Sequence, residues 1–278
     1  MRCSHANAKS NPLIFLKLGG SLITDKATPY TPRPEVITRL AGEIATALET
    51  HPGLKLVLGH GSGSFGHVAA KRFGTRRGVD SPEGWRGFAQ VWYQASRLNR
   101  IIVEALHGAG LAAVALPPSG AVTTRQGQVT TWNLSPLRAA LSAGLLPVVY
   151  GDVVFDQAIG GTILSTEDLF AHLARALHPN RILLAGQDRG VWADYPACSE
   201  LVKTITPQTW RQLAPALDGS ANTDVTGGMA SKVETMLNLV EEIPALEGLI
   251  FSGEEPGQIG AALNGQAPGT RIHAGRVR

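Results

Sequence analysis

The chain is predicted to fold as an α/β protein, with a mainly parallel central sheet covered by helices on both faces. Short apolar runs rich in leucine and β-branched residues alternate with longer amphipathic stretches, the pattern left by successive strand and helix units. Several of these runs break directly into glycine-bearing turns, as strands do where a sheet's carboxyl edge builds a site. Of 278 residues, 44% are apolar, enough to fill the core such a layered fold requires.

Taken along the chain, LIFLKL at 13–18 is the first strand, apolar except for Lys17. An amphipathic stretch near 34–49 gives a helix, and LKLVLG at 54–59 gives the next strand. Helices follow near 67–73 and 83–107, then a strand at 111–116 (LAAVAL). A hairpin over roughly 121–131 turns at Gln126-Gly127, before a helix near 133–143 and a strand at 145–150 (LLPVVY). A second hairpin runs from Gly151 through VVFDQAIGGTILS, with Gly160-Gly161 supplying its turn. The remaining pattern places helices near 167–177, 207–213, 228–240 and 256–263 around strands at 181–185 (RILLA) and 248–252 (GLIFS). No internal repeat or low-complexity linker interrupts it, so residues 13–278 are expected to form one domain, any division into lobes falling near 176–180 within a continuous sheet. The polar opening, MRCSHANAKSNP at 1–12, is expected to be a disordered tail.

Composition narrows the function classes. Twenty-five Lys and Arg against 22 Asp and Glu leave a net charge of +3, too small to imply a nucleic-acid partner. Cys3 and Cys198 offer neither a disulfide framework nor a metal cluster, which suits a reducing cytoplasm. The opening lacks the apolar stretch of a signal peptide and no later run is long enough to span a bilayer, so no membrane association is expected. His5, His51, His60, His107, His172, His178 and His273 show no metal-ligand spacing, and His60 reads as a packed structural histidine beside a glycine turn.

Three turns carry the chemistry. In LVLGHGSGSFGHVAAKRFG, residues 56–74, Gly61, Gly63 and Gly66 have the G-x-G-x-x-G spacing of a dinucleotide-binding turn. That reading needs a second strand soon after the helix, ending in an acid for the ribose; here the polar loop GTRRGVDSPEG and a long helix follow instead. What remains is an oxyanion cradle: glycines bring main-chain N–H groups close to a phosphate, and a helix starting at about His67 adds its positive end. His67 can donate a hydrogen bond to the same anion. A turn shaped only by steric need would use the same glycines.

The first strand runs into LKLGGSLITDK. Lys17 is costly inside an apolar strand unless it points into a polar site at the strand's end, the alternative being a lysine that reaches solvent. Gly19, Gly20 and Ser21 add flexible backbone and a hydroxyl, and Lys26 is either a second site cation or a solvated loop charge. The third turn, NTDVTGGMASKVETM, leads Asp224, Thr226, Gly227 and Gly228 into a helix bearing Lys232, which meets nucleotide phosphates if it faces inward. Three such turns on one sheet edge suit a site that must offset the charge of two phosphorylated reactants.

In order and spacing, LKLGGSLITDK, GHGSGSFGH, GDVVFD with ILSTEDL, and DVTGGMASK resemble the motifs of the amino acid kinase superfamily, from about residue 13 to the C-terminus. Within it, the Ser-Phe-Gly-His of the second loop and the Thr-Asp-Lys after the first resemble the isopentenyl phosphate kinases. The resemblance implies an open αβα sandwich, often a homodimer, that uses ATP and Mg2+ to phosphorylate isopentenyl phosphate. It assigns His67 to the acceptor's phosphate together with the main-chain amides of Gly61, Ser62 and Gly63. Lys17 and Lys232, assisted by Lys26, would stabilise the migrating charge. Gly19, Gly20, Ser21, Asp188, Gly190, Gly227 and Gly228 would face ATP. Phe88, Val91 and Ala95 of the 83–107 helix would line the pocket for the isopentenyl tail, although such a stripe is more often ordinary core, and Gly161 would also contact the substrate. Residues of about 13–176 would form the acceptor lobe and about 177–278 the nucleotide lobe.

Two segments depart from the family pattern. Relatives commonly have Ser-Gly-Asp-Asp where this chain has STED, so Glu167 occupies the position of an aspartate that organises the catalytic lysines. Either Glu167 reaches the same lysines from a shifted backbone, or Asp168 takes over. AGQDRGVW stands where relatives tend to have Thr-Asp-Val-Asp-Gly-Val, with Arg189 in place of an acid. These changes keep two alternatives open: a related kinase acting on another small phosphate or phosphonate, and a nucleotide-binding sensor without turnover.

Overall fold

The computed structural model describes residues 11–217 and 228–275, so most of the expected polar tail and Gly227 lie outside them. In chain order the first half comprises β1 (Leu13–Leu18), α1 (Gly20–Ile23), α2 (Pro34–Thr50), β2 (Lys55–His60), α3 (Gly63–Phe73), α4 (Pro82–Gly108), β3 (Ala113–Ala115), β4 (Val122–Arg125), β5 (Gln128–Trp132), α5 (Ser135–Ser142), β6 (Leu146–Tyr150), β7 (Asp152–Asp156), β8 (Gly160–Leu164) and α6 (Thr166–Leu177). There follow β9 (Arg181–Gly186), β10 (Thr204–Ile205), α7 (Pro207–Leu217), α8 (Gly228–Glu242), β11 (Glu247–Ser252), α9 (Gln258–Leu263) and β12 (Thr270–Ile272).

Eight strands form the main sheet in the order β10-β12-β11-β9-β1-β2-β6-β3. Every pairing is parallel except β11 with β12. The order reverses at β1: the chain steps to β2 on one side and later to β9 on the other, so the carboxyl ends of all three strands converge where open α/β sheets bind ligands.

Alternation along β1 decides which layer each side chain meets. Ile14, Leu16 and Leu18 enter the core shared with Leu40 and Ile44 of α2. Phe15 points the other way, its ring centroid 5.1 Å from that of Phe170 on α6. Lys17 shares the Phe15 face and is directed at the first turn of the same helix. The long helix α4 is begun by Ser81, whose side chain accepts from Gly84 N at 3.1 Å, and by Pro82 in the first turn. Its buried stripe includes Val91, Ala95, Leu98, Ile102 and Leu106.

The expected hairpins join into a separate four-stranded sheet, β5-β4-β7-β8, rather than remaining independent. Asp156 holds it together. Its carboxylate accepts from Thr124 Oγ1 at 2.7 Å and from the backbone nitrogens of Gly127 and Ala158, each at 2.8 Å.

Three expectations are corrected. The turn between β7 and β8 falls at residues 157–159, not at Gly160-Gly161; Gly160 opens β8 at φ 76°, and the Val79 carbonyl occupies the space a side chain there would need. α3 begins at Gly63, so His67 sits in its second turn rather than at its start. GSLI, within the first glycine-bearing turn, is helical instead: α1 forms at once after β1 and ends before Thr24-Asp25-Lys26. Among the described residues, no helix is long and apolar enough to cross a membrane.

Candidate active site

A cavity of about 940 Å³ opens at the carboxyl ends of β1, β2 and β9. Its floor is made by two glycine turns in direct contact. A Cβ added at Gly61 would lie 2.8 Å from the Gly20 nitrogen, and one at Gly20 would collide with the backbone of Gly63. Thr24 ties the turns together: its hydroxyl donates to the Gly20 carbonyl at 2.7 Å and accepts from Ser64 N at 3.0 Å. Gly63 adopts φ 48° and packs against that threonine. Steric need, one of the two readings of these glycines, is met by these contacts.

Lys17 is 9% exposed, and its ammonium forms an ion pair with Glu167. The carboxylate reaches it because α6 lies unusually close to β2. A Cβ at Gly59, the residue paired with Lys17, would stand 2.6 Å from both Phe170 and Thr166. Thr166 Oγ1 donates to the His60 carbonyl at 2.6 Å, stapling the first turn of α6 to the strand. Burial pushes the Glu167 carboxyl upward, but the charge and hydrogen bond of Lys17 and the charge of Lys232 hold it below the ordinary carboxylate range.

Asp168 has another task. Its carboxylate accepts from the nitrogen and hydroxyl of Ser165, each at 2.8 Å, closing a capping box on α6. Of the two acids in STED, Glu167 is thus the one that meets Lys17.

Lys17, Lys26, His67 and Lys232 all line the cavity, with Gly19, Gly20, Ser21, Gly61, Ser62, Gly63 and Asp188. Val91 lines it too, beside Val68, Ala70 and Ile163. Phe88, Ala95 and Gly161 do not. Phe88 turns toward Trp85 and Phe155, with centroids 5.3 and 5.1 Å away, and Gly161 leaves room for its ring. Ala95 is fully buried in the α4 stripe. Gly190 also stays outside, lying where a side chain would press on Thr270, and Gly228 starts α8 at φ 58° without lining the cavity.

Lys71, Arg76 and Arg77 reach the cavity although the sequence reading gave no role to Lys71 on its helix or to the two arginines in their polar loop. The basic run KRFGTRRG was the available signal. His60 is structural: fully buried, it lies 3.2 Å from Asn99 Oδ1 and stacks on Tyr150, and burial pushes its imidazole down to about 4.

A switch-point cavity with glycine turns and converging cations defines a small-molecule phosphotransferase. The model of the amino acid kinase family matches residues 12–247, and the chain belongs to that family. It is 34% identical to the isopentenyl phosphate kinase of Methanothermobacter thermautotrophicus over 94% of this chain and 98% of the relative, and 32% identical to that of Methanocaldococcus jannaschii over the same shares. A solved isopentenyl phosphate kinase superposes with a TM-score of 0.79 at 30% identity, covering 94% of this chain and 99% of the other. An isopentenyl phosphate kinase substrate complex gives 0.75 at 25% identity, covering 94% and 100%.

Proposed function

We propose that this chain transfers the γ-phosphoryl group of ATP to isopentenyl phosphate, giving isopentenyl diphosphate and ADP. The observation that carries the reading is that Lys17 of β1, His67 of α3 and Lys232 of α8 line one cavity with Glu167 of α6. A phosphate monoester has a second pKa of about 6, so the acceptor already presents an anionic oxygen near neutrality. No strong base is needed. The work is to bring two anions into line and spread the developing charge.

The residues divide that work. His67 and the amides of Gly61, Ser62 and Gly63 hold the acceptor's phosphate, while Val91 and Ile163 offer its tail an apolar wall. Gly19, Gly20, Ser21 and Asp188 face the nucleotide. Lys17, held in place by Glu167, and Lys232 meet the charge that moves between the two, and Lys26 assists. Magnesium would enter with ATP and would offset part of the phosphate charge. Among the described residues no group of three His, Cys, Asp or Glu side chains gathers, and Glu167 is engaged by Lys17, so the phosphates themselves and Asp188 suit it best.

The same reading divides the chain near 176–180 into acceptor and nucleotide lobes, with the boundary between β9 and β1 of the continuous main sheet. It also favours a homodimer in the cytoplasm. Trp85, Trp92, Tyr93 and Phe155 are large apolar side chains left 38–54% exposed on α4 and β7, a surface suited to association. Incubation with ATP, magnesium and isopentenyl phosphate should release ADP in step with isopentenyl diphosphate. Absence of acceptor-dependent ADP release would refute the assignment.

A further inference from the structure

The roles above leave three cavity cations, Lys71, Arg76 and Arg77, without a task. Among the described residues, Arg76 and Arg77 are the arginines lining it, beside Lys17, Lys26, Lys71 and Lys232. The backbone at Arg76 is firmly placed: its carbonyl accepts from Thr162 Oγ1 at 2.9 Å, Thr75 before it is 1% exposed, and Val79 N donates to the Ile159 carbonyl at 2.8 Å. The side chain is not. It is 41% exposed, and its ionic neighbour, Asp168, stands 3.7 Å away, beyond hydrogen-bonding distance. The Asp168 oxygen it faces already accepts both bonds from Ser165.

Position argues for the acceptor side. Arg76 is anchored on β8 and follows α3, the elements that bring Ile163 and His67 to the cavity, whereas Gly186, Asp188 and Lys232 come from β9 and α8. Asp168 adjoins Glu167 in the chain, so the guanidinium stands next to the first turn of α6 that supplies the partner of Lys17. Lysines act on phosphate as point charges; a guanidinium offers a planar fork that matches two phosphate oxygens at once.

We propose that Arg76 leaves Asp168 when the acceptor arrives and grips its phosphomonoester through that fork. This rests on the kinase reading above. Asp168 keeps its capping bonds to Ser165 throughout, so the exchange does not disturb α6.

Titration of isopentenyl phosphate into the ATP-free protein by calorimetry tests this. In R76Q the Kd for isopentenyl phosphate should rise by about tenfold or more, the loss of one charge-assisted contact, with the ATP Kd within twofold of the parent. R76K should recover only part of the loss. The proposal is overturned if R76Q binds isopentenyl phosphate within twofold of the parent, or if ATP binding weakens as much. Because the measurement needs no turnover, a parent chain that binds the acceptor but releases no ADP would refute the kinase reading and leave Arg76's role standing. A parent that turns over while R76Q binds normally does the reverse.

Discussion

Lys17 and Glu167 form a buried ion pair between the carboxyl end of β1 and the first turn of α6, 150 residues apart in sequence. Each neutralises a charge that the surrounding core could not tolerate alone. Lys17→Ala should therefore abolish most turnover and also destabilise the fold by about 3–5 kcal/mol, because it strands a buried carboxylate. Adding Glu167→Gln to that variant should restore much of the stability and none of the activity. Urea denaturation of the two single variants and the double variant separates these effects; additive losses would show that the pair is not coupled.

His67 lies in the second turn of α3, over the crossing glycine turns. His67→Ala should lower kcat/KM for the acceptor by roughly 10- to 100-fold, the worth of one hydrogen bond to a charged group, with the KM for ATP nearly unchanged. Steady-state kinetics with each substrate varied in turn checks the split.

Val91 and Ile163 line the cavity, and Phe88 does not. Ile163→Ala should raise the kcat/KM ratio of longer prenyl phosphates over isopentenyl phosphate by about tenfold, within what a few methylenes confer in an apolar pocket. Phe88→Ala should leave that ratio alone and cost about 3–5 kcal/mol of stability, because the ring is core. A chain-length shift in the Phe88 variant would reverse this assignment.

Asp156 gathers hydrogen bonds from both hairpins. Although burial pushes its carboxyl upward, the bonds from Gly127, Ala158, Thr124 and Ile159 hold it well below the ordinary value of 3.8. The stability it adds is complete above that value and lost as pH falls below it. Asp156→Ala should unfold at lower temperature than the parent at neutral pH, and the gap between their Tm values should shrink in acid.

Asp152 behaves in the opposite sense. It is fully buried, with Oδ2 unpartnered, and burial raises its carboxyl to about 7 against 3.8 unfolded. Between those values the folded chain holds a proton that the unfolded chain has lost, so stability falls as pH rises through the window. Asp152→Asn removes that dependence. Its Tm relative to the parent should rise between pH of about 4 and about 7, by roughly 2–4 °C for each kcal/mol.

Much of this was legible in the chain because local rules and tertiary structure agree. LIFLKL is a strand on any reading, and a lysine within it points to a site for a simple energetic reason. Strand alternation then directs Lys17 to the α6 face. The choice between Glu167 and Asp168 was not legible, since it depends on how closely α6 approaches Gly59 and on Ser165 claiming one of the two acids. Phe88 was misplaced because helical periodicity reports burial without saying what lies opposite. Arg76 and Arg77 were passed over because the fold-back of their loop onto β8 is set by Thr162 and Ile159, more than eighty residues away for the Arg76–Thr162 bond.

The contact between Gly20 and Gly61 has a bearing on engineering. The turns carrying Gly20 and Gly61 touch backbone to backbone, with Thr24 as their rivet, so neither can be exchanged for a homologous segment by itself without prising its neighbour away. Transplanting a new acceptor preference into this scaffold should begin on the apolar wall, leaving both turns and the threonine as one inherited piece.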